Sequence, residues 1–289
     1  MDALNWLIEP LSYGFMWRAL LAAIMVGIIC SVIGTYVILQ GMAFLGDALA
    51  HIILPGIVFA FLIGWPLAVG ALIAGVLAAV GIGALSQRGE LREDTAIGII
   101  FAGSFALGVA MLSTVDSYAV DLSHILFGDV LGASVTDLWI TFGLGLLVLL
   151  TVFAFYKEFM VLAFDPTLAK VLRLPATFLR YLLLVLVAVT IVVSLQTVGV
   201  ALVLAMLVTP AAAAQLLTRR LWTMMAVAAL IGAFSNVVGL YLSFYVNIAS
   251  GPAMVLVATA VFTLVFLFAP ERGLLWRAGR ERREEGAVG

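Results

Sequence analysis

Runs of about twenty apolar residues, unbroken by charge, recur along this chain, and no other feature limits its fold so severely. In hydrocarbon every backbone N–H and C=O must be bonded within the protein, so a spanning chain is either a set of helices or a closed β-barrel. A barrel strand alternates apolar and polar residues. Runs such as "LLAAIMVGIICSVIG" and "GALIAGVLAAVGIGAL" show no alternation, so the chain reads as an all-α, polytopic membrane protein. Eight or nine spans fit, at 14–39, 42–62, 66–86, 95–115, 136–156, 178–197, 199–217, 221–245 and 252–269. Gly64-Trp65-Pro66, Gly251-Pro252 and Pro270 punctuate them. Only 10% of the 289 residues are charged, against about 25% in soluble domains. Mean hydropathy is +1.26. No stretch is long and polar enough for a soluble domain. The expectation is one membrane domain over 1–289, with a short tail at 271–289.

Charge orients the bundle. With nine spans, thirteen of the fourteen Lys and Arg residues fall on one side and only Arg18 lies near the other. The positive-inside rule makes the basic side cytoplasmic, with the N-terminus outside and the C-terminus inside. The first residues, "MDALNWLIEPLSYGFMW", lack a basic n-region and a small-residue cleavage site, so no removable signal peptide is expected. A net charge of −2 and a single cysteine, Cys30, give no sign of nucleic-acid partners or of a thiolate metal cluster.

Within one apolar span lies "GDALAHIILPG". Asp47 and His51 stand four residues apart and share one helix face. An ionisable group at mid-bilayer costs about 2.5–3.5 kcal/mol on insertion scales, so it faces a cavity or a partner. One reading is a structural hydrogen bond between the two. The other is a cation site, for which carboxylate plus neutral imidazole suits a transition metal such as zinc or manganese. Two ligands do not complete a four-coordinate shell, so other helices, a second copy or water must supply the rest. Pro55 deprives the His51 carbonyl of its helical partner and should loosen the helix beside the acid, as in broken transporter helices. Pro210 should do the same to Met206 and mark a bend.

Other polar residues are weaker candidates. Asp116, Asp121, His124 and Asp129 lie between spans, at the outer interface, where they form either a cation-attracting mouth or a solvated loop. Asn236 is a pathway candidate, with an interhelical hydrogen bond as the commoner alternative. Gln196 and Asn247 sit near predicted span ends.

The chain carries no nucleotide site and no enzyme motif. A P-loop lysine is missing, since Lys157 and Lys170 stand in unrelated contexts. His-Glu-x-x-His and Gly-x-Ser-x-Gly are absent as well. An ATP-driven pump would therefore need a separate ATPase. The connector 164–176, "FDPTLAKVLRLPA", suggests where it docks. Asp165 can cap a short helix that Pro166 begins, with Leu168, Val171 and Leu172 forming an apolar face.

Taken together, "QGMAFLGDALAHIILPGIVFAFLIG", "LREDTAIGIIFAGSFALGVAML", "LFGDVLG", "FDPTLAKVLRLP", "QTVGVALVLAMLVTPAAAAQLLT" and "GLYLSFYVNIASGPAMVLV" resemble the permease subunits of bacterial ABC importers for zinc, manganese and sometimes iron. The resemblance implies the type II importer permease architecture in a prokaryotic inner membrane and a homodimer. It also implies two ATP-binding cassette subunits below and an extracytoplasmic metal-binding protein above. The metal travels through, and no cofactor is held permanently. Positions matching Asp47 and His51 are implied to bind the metal, and 164–176 to be the ATPase coupling region. Two departures stand out: Arg173 where a glycine is expected in the coupling turn, and Asn247 where an aspartate is common. The rival readings are a gradient-driven cation transporter or channel without an ATPase partner, and a non-transport scaffold.

Overall fold

A computed structural model describes residues 9–87, 92–114 and 130–269. The helices are α1 (Gly14–Leu39), α2 (Ala43–Ile52), α3 (Leu54–Leu62), α4 (Leu67–Gln87), α5 (Glu93–Leu112) and α6 (Val135–Ala154). They continue with α7 (Tyr156–Phe164), α8 (Pro166–Val171), α9 (Ala176–Val198), α10 (Val200–Leu217), α11 (Leu221–Val246) and α12 (Ser250–Phe268). Among the described residues, eight segments are long and apolar enough to cross a membrane, α2 and α3 together forming one of them, and Leu202–Leu217 is a shorter apolar helix. The expectation of eight or nine helical spans therefore holds.

α1 is the hub, packed chiefly against α11 and α10. Helix association in lipid rests on close packing and small residues. Gly56 of α3 and Gly70 of α4 show this, since a Cβ on either would collide with the other's carbonyl oxygen. The α9–α10 corner is buried inside the bundle at Gly199, whose φ of 80° suits glycine. Such irregular backbone is tolerated at membrane depth only where protein surrounds it. On the two sides of this corner, Cys30 meets Ser194 of α9 (Sγ–Oγ 3.3 Å) and Ser31 meets Met206 of α10. α10 then runs back until Ala214 packs beside Ile38, Leu39 and Met224.

Among the described residues the basic side chains other than Arg18 gather towards one end, while Arg88 and the five arginines of the tail lie outside the described residues. Arg180 of α9 pairs with Glu93 at the start of α5. Tyr156 and Phe153 contact Trp222 in the first turn of α11, so Lys157, Arg219 and Arg220 share one end of the bundle. Arg18 lies in the first turns of α1, at the opposite end, where Tyr13 meets Phe244.

Two expectations about elements need correction. The 42–62 span is not one kinked helix but two, broken at Ile53. The connector after α6 holds two helices rather than one: α7 precedes the expected short helix, with Phe159 buried edge-to-face against Tyr36.

Candidate functional site

α2 turns its apolar residues inward and its charge outward. Leu45, Ala48, Leu49 and Ile52 are buried, whereas the side chains of Asp47 and His51 are 36% and 32% exposed on the outer face of the single chain. His51 Nε2 lies 3.7 Å from Asp47 Oδ1, which is too long for a hydrogen bond. The pair is therefore neither sealed in dry packing nor mutually satisfied. Asp47 lies one turn inside the span Ala43–Leu62 and His51 near its middle, where a polar group turned to acyl chains is costly, so water or another polypeptide is the favoured cover for this face.

The helix break tunes the electrostatics. Pro55 falls in the first turn of α3, where its missing N–H costs nothing, rather than within a continuous helix. The Ile53 N–H donates to the Leu49 carbonyl (3.3 Å), and Pro55 has no N–H to offer the His51 carbonyl. His51 sits in the last turn of α2, at the negative end of the helix dipole. That end favours a bound cation, and α2 delivers it to the dyad.

The aromatic surroundings were not foreseen. The His51 ring meets Phe101 and Phe105 of α5 edge-to-face, and Phe44 meets Phe101 on the same side. Phenylalanines in an apolar span look alike in sequence whether they face lipid or a site, and no pattern separates these three. Among the described residues no group of three or more His, Cys, Asp or Glu could hold a metal, so at this site they supply the two side chains of the dyad.

The remaining candidates are scattered. Asn236 is fully buried in the α1–α11 seam and donates from Nδ2 to the Ala23 carbonyl (2.6 Å), so it is not brought to the dyad. Asp116, Asp121, His124 and Asp129 lie outside the described residues. Asn247 closes α11 in the left-handed conformation, a role its short amide side chain suits. At Pro210 the Met206 carbonyl, stripped of its helical donor, accepts from Ser31 Oγ (3.4 Å).

The connector has the expected design. Asp165 Oδ1 accepts from the Thr167 and Leu168 N–H groups, both at 2.9 Å, capping α8 at Pro166. Ala169 is buried, while Leu168, Val171 and Leu172 stand exposed, Val171 by 73%. Arg173 ends the turn at φ 53°, the conformation for which glycine was expected.

Fold and site thus define a helical membrane subunit with a charged pair on an open face and an apolar connector at its basic end. The chain belongs to the ABC 3 transport family, which it matches over residues 12–269. It is 48% identical over 275 residues to the manganese transport system membrane protein MntC of Halalkalibacterium halodurans, covering 95% of this chain and 94% of that one. It is 43% identical to the chelated iron transport system membrane protein YfeD of Yersinia pestis, covering 90% and 87%. Among solved structures, PsaBC from Streptococcus pneumoniae in complex with Fab superposes with a TM-score of 0.82 at 37% identity, covering 94% and 98%.

Proposed function

We propose that this chain is the permease of an ATP-driven importer of a divalent transition metal, with manganese as the first expectation and iron as the second. The observation that carries the reading is the Asp47–His51 pair. It offers a hard oxygen and a borderline nitrogen on a partly exposed face of a broken membrane helix, with His51 at its carbonyl end. The names of the relatives support these two metals, and zinc, left open by the sequence, is named by none of those above. The chain itself makes and breaks no bond. It would bind the ion, shield it from lipid and switch its exposure between the two sides.

The exposed apolar face of α8 at the basic end supports docking of ATP-binding cassette subunits there, with that end cytoplasmic, the N-terminus outside and the membrane that of a prokaryotic cell. An extracytoplasmic metal-binding protein would deliver the ion at the opposite end. The incomplete ligand set supports a homodimer in which two dyads meet. A gradient-driven transporter working without ATP explains the dyad but not the connector, and membership of an ABC family disfavours it. The affinity of the dyad should be modest, since a site that holds too tightly cannot release.

The test is uptake of manganese and iron by cells whose other importers are deleted. Asp47→Ala and His51→Ala are each expected to abolish uptake while membrane insertion and ATPase association persist. Normal uptake by both variants would refute the site.

A further inference from the structure

At 3.7 Å Asp47 lies within ion-pair distance of His51 but beyond hydrogen-bond reach, which leaves the orientation of the imidazole to its other neighbours. Those neighbours are on α5. The His51 ring lies 6.0 Å from Phe101 at 62° and 5.8 Å from Phe105 at 78°, both in the edge-to-face arrangement that aromatic rings prefer. The two phenyl rings are themselves stacked, 5.9 Å apart at 17°, so they act as one plate against the imidazole. Phe44, one turn before Asp47 on the same helix as His51, also meets Phe101, with ring centroids 6.1 Å apart.

α5 is the least buried of the eight spans, with 17% of its window inside the bundle. It packs on both halves of the broken span: Gly108 sits so close to Leu54 and Pro55 that a Cβ there would lie 2.9–3.0 Å from them. Its first turn is tied elsewhere. Glu93 pairs with Arg180 of α9, and Arg180 stands one turn beyond Ala176, where the chain leaves the α8 connector. A single thinly packed helix thus touches the imidazole at its middle and the coupling end of the molecule at its base.

Building on the metal-site reading above, we propose that Phe101 and Phe105 are the residues that position the His51 imidazole for the metal. In this arrangement α5, anchored through Glu93 and Arg180, carries the placement of the α8–α9 corner to that ring. The phenyl rings touch no metal. They act through His51, as the partners behind a metal-ligating histidine do when they fix its orientation.

The experiment measures manganese uptake against concentration in cells that depend on the intact importer. Phe101→Leu and Phe105→Leu keep the apolar bulk but remove the ring. Each is expected to raise KM about tenfold or more with Vmax nearly unchanged, the loss typical when a supporting partner of a ligand is removed. Phe105→Tyr keeps the ring and should restore a KM near that of the parent. Glu93→Arg should raise KM as well, and Glu93→Arg with Arg180→Glu should bring it back. A purely structural role would lower Vmax with the amount of assembled protein and leave KM alone. Wild-type KM in both leucine variants, or a KM in the exchanged pair no better than in Glu93→Arg, would overturn the proposal. Asp47→Ala and His51→Ala run alongside separate the two claims. If they abolish uptake while the leucine variants keep a normal KM, only the positioning role fails. If they transport normally, the metal site fails and the positioning role with it.

Discussion

Arg173 holds a backbone conformation that L-residues rarely adopt, at φ 53°, in the turn that follows α8. A left-handed non-glycine residue costs roughly 1–2 kcal/mol. The departure from glycine that the sequence displayed is therefore accommodated by strain rather than by a different turn. Arg173→Gly is expected to raise the unfolding midpoint of the detergent-solubilised protein, by a gain of about 1 kcal/mol. Arg173→Val, β-branched at the same φ, should lower it. A lower midpoint for the glycine variant would mean that the arginine side chain contributes more than its backbone costs. Asn247 is the counterpart at the other end of the molecule, where an asparagine adopts the same region with less penalty. Ser31 shows a third kind of residue-scale compensation. Its hydroxyl donates to the Met206 carbonyl, whose helical donor Pro210 removes, so that acceptor is not left unpaired.

At the scale of elements, helix existence was legible because an apolar run in lipid has one economical way to bond its backbone. The 14–39 span appears as Gly14–Leu39, whereas 199–217 appears as the helix Val200–Leu217, whose apolar stretch Leu202–Leu217 is shorter than the eight spans. The break at Ile53 was legible only as a loosening. Pro55 forbids one hydrogen bond, but whether the helix kinks or restarts depends on what packs around it, here α5 through Gly108 and α4 through Gly70. α7 was missed because the chain turns at Phe155 without glycine or proline, and its helix is held by burial of Phe159 on Tyr36, a contact between segments far apart in sequence. The short α8 helix, by contrast, announced itself through its cap and proline. Its exposed face carries a prediction. Leu168→Asp with Leu172→Asp should release the ATPase subunits in a pull-down from solubilised membranes while the permease still inserts. Retained association would place the contact elsewhere.

For the whole molecule, the decisive fact is that the dyad opens outward from a single copy. A carboxylate turned towards lipid is costly, and a second copy laid against that wall would double the ligands and enclose the ion. Phe44 stands exposed on the same face, and the chain's one cysteine, Cys30, is fully buried. A Phe44→Cys variant should therefore form chain-to-chain dimers with a short bifunctional maleimide in native membranes, whereas the parent should not. Reaction of the new thiol with a monofunctional maleimide but no cross-link would leave the face open to water rather than to another copy.

The sequence alone determined that the chain is a helical membrane protein, where its spans lie, which end is basic, and that Asp47 and His51 share a helix face. These follow from composition, charge placement and helical period, which are local properties. It also carried the α8 cap, since Asp165 and Pro166 act on their immediate neighbours. Only the tertiary structure decided that the dyad is partly exposed, that its members stand just beyond hydrogen-bond reach at 3.7 Å, and that phenyl rings of α5 flank the imidazole. The reason is physical: in a uniformly apolar helix no periodicity tells which side meets lipid and which meets protein. That choice is made by close packing between helices distant in sequence, such as Gly56 on Gly70 and Glu93 on Arg180.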